Sequence, residues 1–154
     1  MKKILIFSCI LCLLLTGCGS NLNSGTLNCT KIEYDEDGYK TTDTMVVNYK
    51  NDKVTTLTET NVSEMDADYI DFTLSFGQLF AESLSKIEGL TAEYSKVDDS
   101  TLQYIITVDY TKIDLNNVKD ALGDSFDENQ ASMYTNNVSL EEFKSDILSD
   151  YTCK

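Results

Sequence analysis

The sequence predicts an α+β fold in which an antiparallel sheet carries one long helix packed across it. Two features predict this class. Residues 29–63 and 90–113 are rich in threonine and valine and alternate between apolar and polar side chains, as half-buried strands do. Within residues 66–89 the apolar residues recur every three or four positions, which is typical of a helix.

Three strands come first and form a meander. Residues 29–34, 39–50 and 54–63 are separated by the turn sequences Asp-Glu-Asp-Gly and Asn-Asp-Lys, and short polar turns of this kind join antiparallel neighbours. The helix follows, with Asp66 placed to cap it and Gly89 to end it after about six turns. Its sheet-facing residues should be Ile70, Leu74, Gly77, Ala81 and Leu84.

A second hairpin joins residues 90–97 to residues 101–113. In its second strand one face is expected in the core: Leu102, Tyr104, Ile106, Val108 and Tyr110. Asp114 then caps a short helix, and Ser139 opens a last helix over residues 140–151 as part of a capping box. The predicted order is βββαββαα, within one domain at residues 29–154.

A resemblance accompanies this pattern. The Lys-Ile-Glu-Gly-x-Thr…Tyr…Asp-Asp segment from Lys86 to Asp99 and the Val-Asp-Tyr-x-Lys-x-Asp-Leu segment from Val108 to Leu115 resemble the YehR-like family of small bacterial lipoproteins, over most of residues 29–120. The resemblance implies an α+β fold with a helix on an antiparallel sheet. It implies no catalytic residues.

The first 17 residues have the organisation of a lipoprotein signal peptide. Lys2 and Lys3 precede a twelve-residue apolar stretch, residues 4–15, which is too short to span a bilayer. Leu-Thr-Gly-Cys then resembles a lipobox, with cleavage between Gly17 and Cys18. Cys18 would carry a diacylglyceryl group with palmitate-like chains, and two or more acyl chains anchor a protein stably. We therefore expect an extracytoplasmic protein anchored to the cell membrane, with residues 18–28 as lipidated N-terminus and flexible tether.

The charge is strongly acidic. The chain has 26 acidic residues, 12 lysines and no histidine, for a net charge of −14. Such a surface repels phosphate backbones, which excludes nucleic acid as a partner. A monomer is expected, and the membrane contact is expected to run through the lipid rather than through the protein surface.

Five cysteines are present, of which Cys9 and Cys12 lie in the signal and Cys18 takes the lipid. Cys29 and Cys153 remain, and exported proteins mature where disulfides persist. A Cys29–Cys153 bridge is therefore predicted, with two buried free thiols as the alternative. This pairing rests on the present sequence, because Cys153 has no place in the YehR-like pattern.

The sequence contains few groups suited to catalysis. Without histidine, Ser-His-Asp and Cys-His catalysis and most zinc sites are excluded. The Asp35-Glu36-Asp37-Gly38 stretch resembles part of a calcium loop, but Val46 stands where an EF-hand needs its closing glutamate. It is interpreted as a solvated turn, and neither a metal nor a cofactor is expected. An exposed aromatic stripe among the tyrosines is an alternative to their packing in the core.

These observations predict a non-enzymatic envelope protein that binds another envelope component or a small ligand. The alternative is a carboxylate-dependent hydrolase acting on cell-wall polymer. Two carboxyl groups facing each other across a groove would favour the hydrolase, and a closed surface with an apolar patch would favour binding.

The lipid anchor can be tested by changing one sulfur. In cells, wild type should enter the detergent phase after cloud-point separation, whereas Cys18→Ala should remain in the aqueous phase. Cys12→Ala is the matched control, since that cysteine would be removed with the signal. Equal partitioning of wild type and Cys18→Ala would contradict the anchor.

Overall fold

The computed structural model describes residues 23–123, 126, 131 and 133–154. Within these residues the chain forms six strands and three α-helices. The strands are β1 (Ser24–Tyr34), β2 (Lys40–Lys50), β3 (Lys53–Glu64), β4 (Leu90–Asp98), β5 (Thr101–Asp109) and β6 (Thr152–Cys153). The helices are α1 (Ala67–Leu84), α2 (Leu115–Leu122) and α3 (Leu140–Asp146). The predicted α+β class is confirmed.

All six strands lie in one sheet, in the order β4-β5-β3-β2-β1-β6, and every pairing is antiparallel. The predicted meander and second hairpin are both present. They are joined by the pairing of β3 with β5, which places the two long sequence segments side by side. The helices and the C-terminal segment pack on one face of this sheet, and the core lies between them.

The helices begin where their caps were expected. The side chains of Asp66, Asp114 and Ser139 accept hydrogen bonds from the backbone N–H groups of Asp68, Asn116 and Glu142. These bonds satisfy N–H groups that the first turn of a helix leaves without a partner. No helix in the described part of the chain is long and apolar enough to cross a membrane.

α1 packs closely on the sheet through a glycine. A Cβ atom added at Gly77 would lie 2.6 Å from Cγ of Tyr94, so the helix backbone rests directly on that ring. Ile70, Ala81 and Leu84 are buried on the same side of α1, as predicted. On β5 the expected core face is likewise buried, with Tyr104 only partly covered.

The start of β1 and the end of α1 differ from the predictions. β1 begins at Ser24 and pairs with β2 from that residue, so residues 24–28 belong to the sheet and not to a tether. The helix ends at Leu84 with Ser85 as its C-cap. Gly89 instead adopts a φ of +86° in the turn before β4, where its carbonyl accepts a hydrogen bond from the Asp109 N–H at 2.7 Å. The glycine thus serves a tertiary contact rather than a helix stop.

The C-terminus also differs from the prediction. The last helix ends at Asp146 and not at residue 151, and the chain then forms the two-residue strand β6 against β1. In that register Cys29 lies opposite Cys153, and their sulfur atoms are 2.04 Å apart. A cross-link that closes a loop of this length contributes up to about 5 kcal/mol in the chain-entropy model.

The close approach at Gly77 gives a stability prediction. Gly77→Ala should lower the free energy of unfolding by about 1–2 kcal/mol, because the overpacking against Tyr94 exceeds the gain in helix propensity. Urea denaturation measures this change. Ser75→Ala on the exposed side of the same helix is the control and should alter stability by no more than about 0.5 kcal/mol. A variant at Gly77 as stable as wild type would show that α1 can shift freely on the sheet.

Candidate functional site

One glutamate lies on the helix-bearing face of the sheet. In the cross-strand register Met45 pairs with Glu59, and Glu59 pairs with Ile106 on the other side. Met45 and Ile106 are both buried core residues. Alternation along a strand would therefore place an apolar residue at Glu59, and the carboxyl at this position calls for an explanation.

On this face, the next two cross-strand pairs beyond Glu59, Asp43–Asn61 and Thr41–Ser63, are polar. Asn61 donates a hydrogen bond through its amide nitrogen to the Asp43 carboxylate and accepts one from the Ser63 hydroxyl at 2.6 Å. Thr41 donates to the Ser63 hydroxyl at 3.3 Å. We call these four residues together with Glu59 the polar floor. They form a half-buried network on β2 and β3 instead of a continuation of the apolar core.

The carboxyl of Glu59 has an unusual acidity. Burial raises its pKa to about 7, and the negative charge of Asp43 adds to the rise. The group is therefore close to half ionised at neutral pH and can either donate or accept a hydrogen bond. A shift of this kind on a sheet face is a signal of a candidate functional site.

Tyrosines surround this carboxyl. Burial is the main cause of a raised pKa at four of them, and the charge of Glu59 contributes at each: Tyr104, Tyr110, Tyr134 and Tyr151. The Tyr110 hydroxyl donates to the carbonyl of Met133 at 2.8 Å. All four phenols stay protonated at physiological pH, so they act as hydrogen-bonding and packing groups rather than as bases.

Glu59 and Asp43 lie on the same face of neighbouring strands, diagonal to each other and two residue pairs apart in register. Glycoside hydrolysis instead uses two carboxyl groups on opposite sides of the bond that is cleaved. This pair therefore adds no support to the hydrolase alternative.

The outward side of α1 is apolar. Tyr69, Phe72, Phe76, Leu79 and Phe80 are exposed, from 42% for Phe80 to 75% for Phe72. They are spaced so that all five lie on one side of the helix, and we call them the apolar stripe. Large apolar side chains grouped on a surface mark interaction sites, whereas single exposed ones are normal.

The position of the stripe follows from what the rest of the helix contacts. The side of α1 that carries Ile70, Gly77 and Ala81 is buried on the sheet. Ser85 and Gln78 reach the outer edge of β4. The stripe lies on neither of these sides, so it faces solvent. The sequence pattern led to the buried side alone, although a second set of apolar residues three or four apart is visible in residues 69–80.

The β4 edge of the sheet is partly blocked. The Ser85 hydroxyl accepts a hydrogen bond from the Ala92 N–H at 2.9 Å and donates to the Ala92 carbonyl at 3.2 Å. Gln78 donates to the Tyr94 carbonyl at 3.5 Å. Covering these groups prevents another strand from pairing there. Strand addition at this stretch of β4 is therefore not the binding mode.

The structure places the other predicted site residues as follows. Gly17 and Cys18 lie outside the described residues. Cys29 and Cys153 are at disulfide distance. In the Asp35–Gly38 turn the Asp35 carboxylate accepts hydrogen bonds from the N–H groups of Asp37 and Tyr39, at 3.0 and 2.9 Å, which occupies it in holding the turn. Among the described residues no three acidic or cysteine side chains converge as a metal site would require.

Comparison with known proteins gives two structural neighbours. An NMR structure of a protein from Streptococcus pneumoniae TIGR4 has a TM-score of 0.56 at 15% identity and covers 100% of this chain and 97% of that chain. The NMR structure of the E. coli YehR protein has a TM-score of 0.60 at 12% identity, with 86% and 93% covered. The chain has a YehR-like fold. No protein-family model and no curated protein matches the sequence.

The raised pKa of Glu59 predicts how stability changes with pH. The folded protein holds this proton up to about pH 7, whereas the ordinary glutamate value is 4.5, so stability should fall as pH rises through that interval. The loss should be about 1–2 kcal/mol, below the ~3 kcal/mol expected for full burial, because the side chain is partly exposed.

Urea denaturation at a series of pH values between 4.5 and 8 measures this effect. Glu59→Gln should flatten the profile and be more stable than wild type at pH 8, since the amide has no charge to desolvate. Glu36→Gln in the exposed β1–β2 turn is the control and should keep the wild-type slope. A Glu59→Gln profile parallel to that of wild type would contradict the assignment.

Proposed function

We propose that this protein is a lipid-anchored, extracytoplasmic envelope protein that acts without catalysis, by binding another envelope component through the apolar stripe of α1. The observation that carries the proposal is the exposure of five large apolar side chains on one side of a single helix. Aromatic side chains present roughly 150–250 Å² each, so the stripe amounts to several hundred Å². A monomeric soluble protein rarely exposes more than this without using it.

The anchor and the surface are compatible in distance. If Cys18 carries the lipid, six Cα–Cα steps separate it from the first residue of β1, Ser24. A fully extended chain of that length spans about 20 Å at most. The domain would thus be held next to the membrane, where other envelope proteins are within its reach.

The composition limits what the partner can be. The net charge of −14 disfavours nucleic acid and anionic headgroups alike. Asp68 and Asp71 are exposed on α1 beside the stripe and place polar groups next to an apolar surface. A surface that combines an apolar centre with polar surroundings is typical of protein recognition.

Photo-cross-linking in intact cells tests the proposal. With a photo-reactive phenylalanine analogue in place of Phe76, irradiation should give a discrete adduct, and the double variant Phe72→Ser/Leu79→Ser should reduce its yield about tenfold by removing neighbouring contacts. These exposed positions should change folding stability by no more than about 0.5 kcal/mol.

The matched control places the same analogue at Ile32, which is 52% exposed on the opposite face of the sheet. That position should give only background adducts. Adducts of equal yield at both positions, or none at Phe76, would contradict binding through α1.

A further inference from the structure

Carboxylates border the apolar stripe along one flank. At 100° per residue, Asp68, Asp71 and Glu82 all lie on the side of α1 nearest the β4 edge. The Asp71 side chain is 92% exposed, and that of Glu82 69%. The row is therefore open to solvent beside the exposed aromatic groups.

The lysines near this flank leave it acidic. Lys96 lies 3.0 Å from a carboxylate oxygen of Asp99 and 3.9 Å from one of Asp71, so one cation is shared between two anions. The Lys86 ammonium lies 3.4 Å from a carboxylate oxygen of Glu82, and both side chains are exposed. Exposed pairs of this kind are weak, and a competing cation can replace either lysine at little cost.

The other flank of the stripe faces the middle of the sheet. Ser85 and Gln78 fix which side of α1 points to the outer edge, so the opposite flank, with Thr73 and Phe80, points inward over β5. The acidic residues of α1 therefore lie along the outer flank of the stripe.

We propose that the occupant of the apolar stripe is an amphipathic helical segment of an envelope protein, with apolar residues three and four apart and lysine or arginine beside them. This rests on the proposed function and specifies its partner. The apolar residues would cover Phe72, Phe76 and Leu79, as helices that dock on apolar surfaces do. The basic residues would meet the carboxylate row on the outer flank.

Charge favours this occupant over two alternatives, a second copy of the chain and an anionic membrane. A second copy in an antiparallel two-fold pair would bring the two carboxylate rows to the same side of the contact, where they repel. A membrane of anionic lipid would be repelled by the same row, whereas helices that lie in such membranes carry lysine and arginine beside their apolar side. A basic segment is attracted by this row.

A pair of synthetic peptides tests the proposal. Each is an amphipathic helix of roughly five turns with the same leucine positions, and the polar positions are lysine in one and glutamate in the other. The protein is the chain from residue 19, which contains every strand and helix of the described residues. Fluorescence anisotropy should show the lysine peptide binding about tenfold more tightly than the glutamate peptide, with a difference that shrinks as salt is added.

Three variants assign the binding to its parts. Phe72→Ser/Phe76→Ser should weaken binding of the lysine peptide about tenfold. Asp71→Asn/Glu82→Gln should weaken it about threefold, whereas Glu36→Gln/Asp37→Asn, with the same change in net charge at the distant β1–β2 turn, should leave it within experimental error.

The outcomes separate this inference from the proposed function. Equal affinity for both peptides, or equal effects of the two charge-neutralising variants, would overturn the basic partner while leaving the stripe as a binding surface. A photo-adduct at Phe76 with twice the mass of this chain would overturn it in favour of a second copy. Stripe-dependent binding to phosphatidylglycerol–phosphatidylcholine vesicles would overturn it in favour of lipid. Failure of the Phe76 adduct itself would overturn the proposed function.

Discussion

The register of β3 between β2 and β5 is the constraint on which the rest of the molecule depends. Because side chains alternate along a strand, this register decides which residues of the central strands lie under the helices. A slip of one residue would bury Thr58 and Thr60 in place of Leu57 and Glu59. The observed register buries Leu57 completely and leaves Thr58 on the open face, where its hydroxyl lies 3.1 Å from that of Thr107. It also brings Glu59 onto the core face, so the same register places a half-buried carboxyl there.

The two sides of α1 have different roles: one packs on the sheet and the other is exposed to solvent. The inner side carries small residues, and at Gly77 the backbone approaches the Tyr94 ring as closely as only glycine allows. The outer side exposes large apolar residues that contribute little to folding. Ser85 and Gln78 link the packing of α1 to the exposure of the stripe. Their hydrogen bonds to the β4 edge fix the rotation of α1 about its own axis, so the stripe points outward. The packing that stabilises the domain therefore also presents its candidate binding surface.

Different groups cover the two edges of the sheet. At β4 the side chains of α1 occupy backbone groups that another strand could otherwise use. At the opposite end β6 covers β1, and backbone hydrogen bonds between Asn28 and Lys154 extend this short pairing. The Cys29–Cys153 contact lies in the same register. Each edge is thus covered over part of its length, and the apolar stripe of α1 is the exposed surface proposed for binding.

Local patterns in the sequence determined the elements of this fold. Alternation located five of the six strands, and the capping residues Asp66, Asp114 and Ser139 located the start of every helix, because these signals act within a few residues of chain. The helix end, the start of β1 and the existence of β6 depended on partners distant in sequence. Gly89 shows why: its left-handed conformation serves a contact with Asp109 in the next hairpin.

For the candidate site, too, the sequence determined some features and the tertiary structure determined others. The sequence contains both apolar sets of α1, but only packing on β4 decided which set became the core and which stayed exposed. Likewise, nothing in the sequence distinguishes Glu59 from the other 25 acidic residues. The pairing of β3 with β2 and β5 partly buries it, with Asp43 as a diagonal neighbour. Burial and proximity across strands are properties of the assembled sheet. They decide the acidity of a carboxyl and the exposure of an aromatic ring, so the tertiary structure alone could reveal the surface proposed for binding.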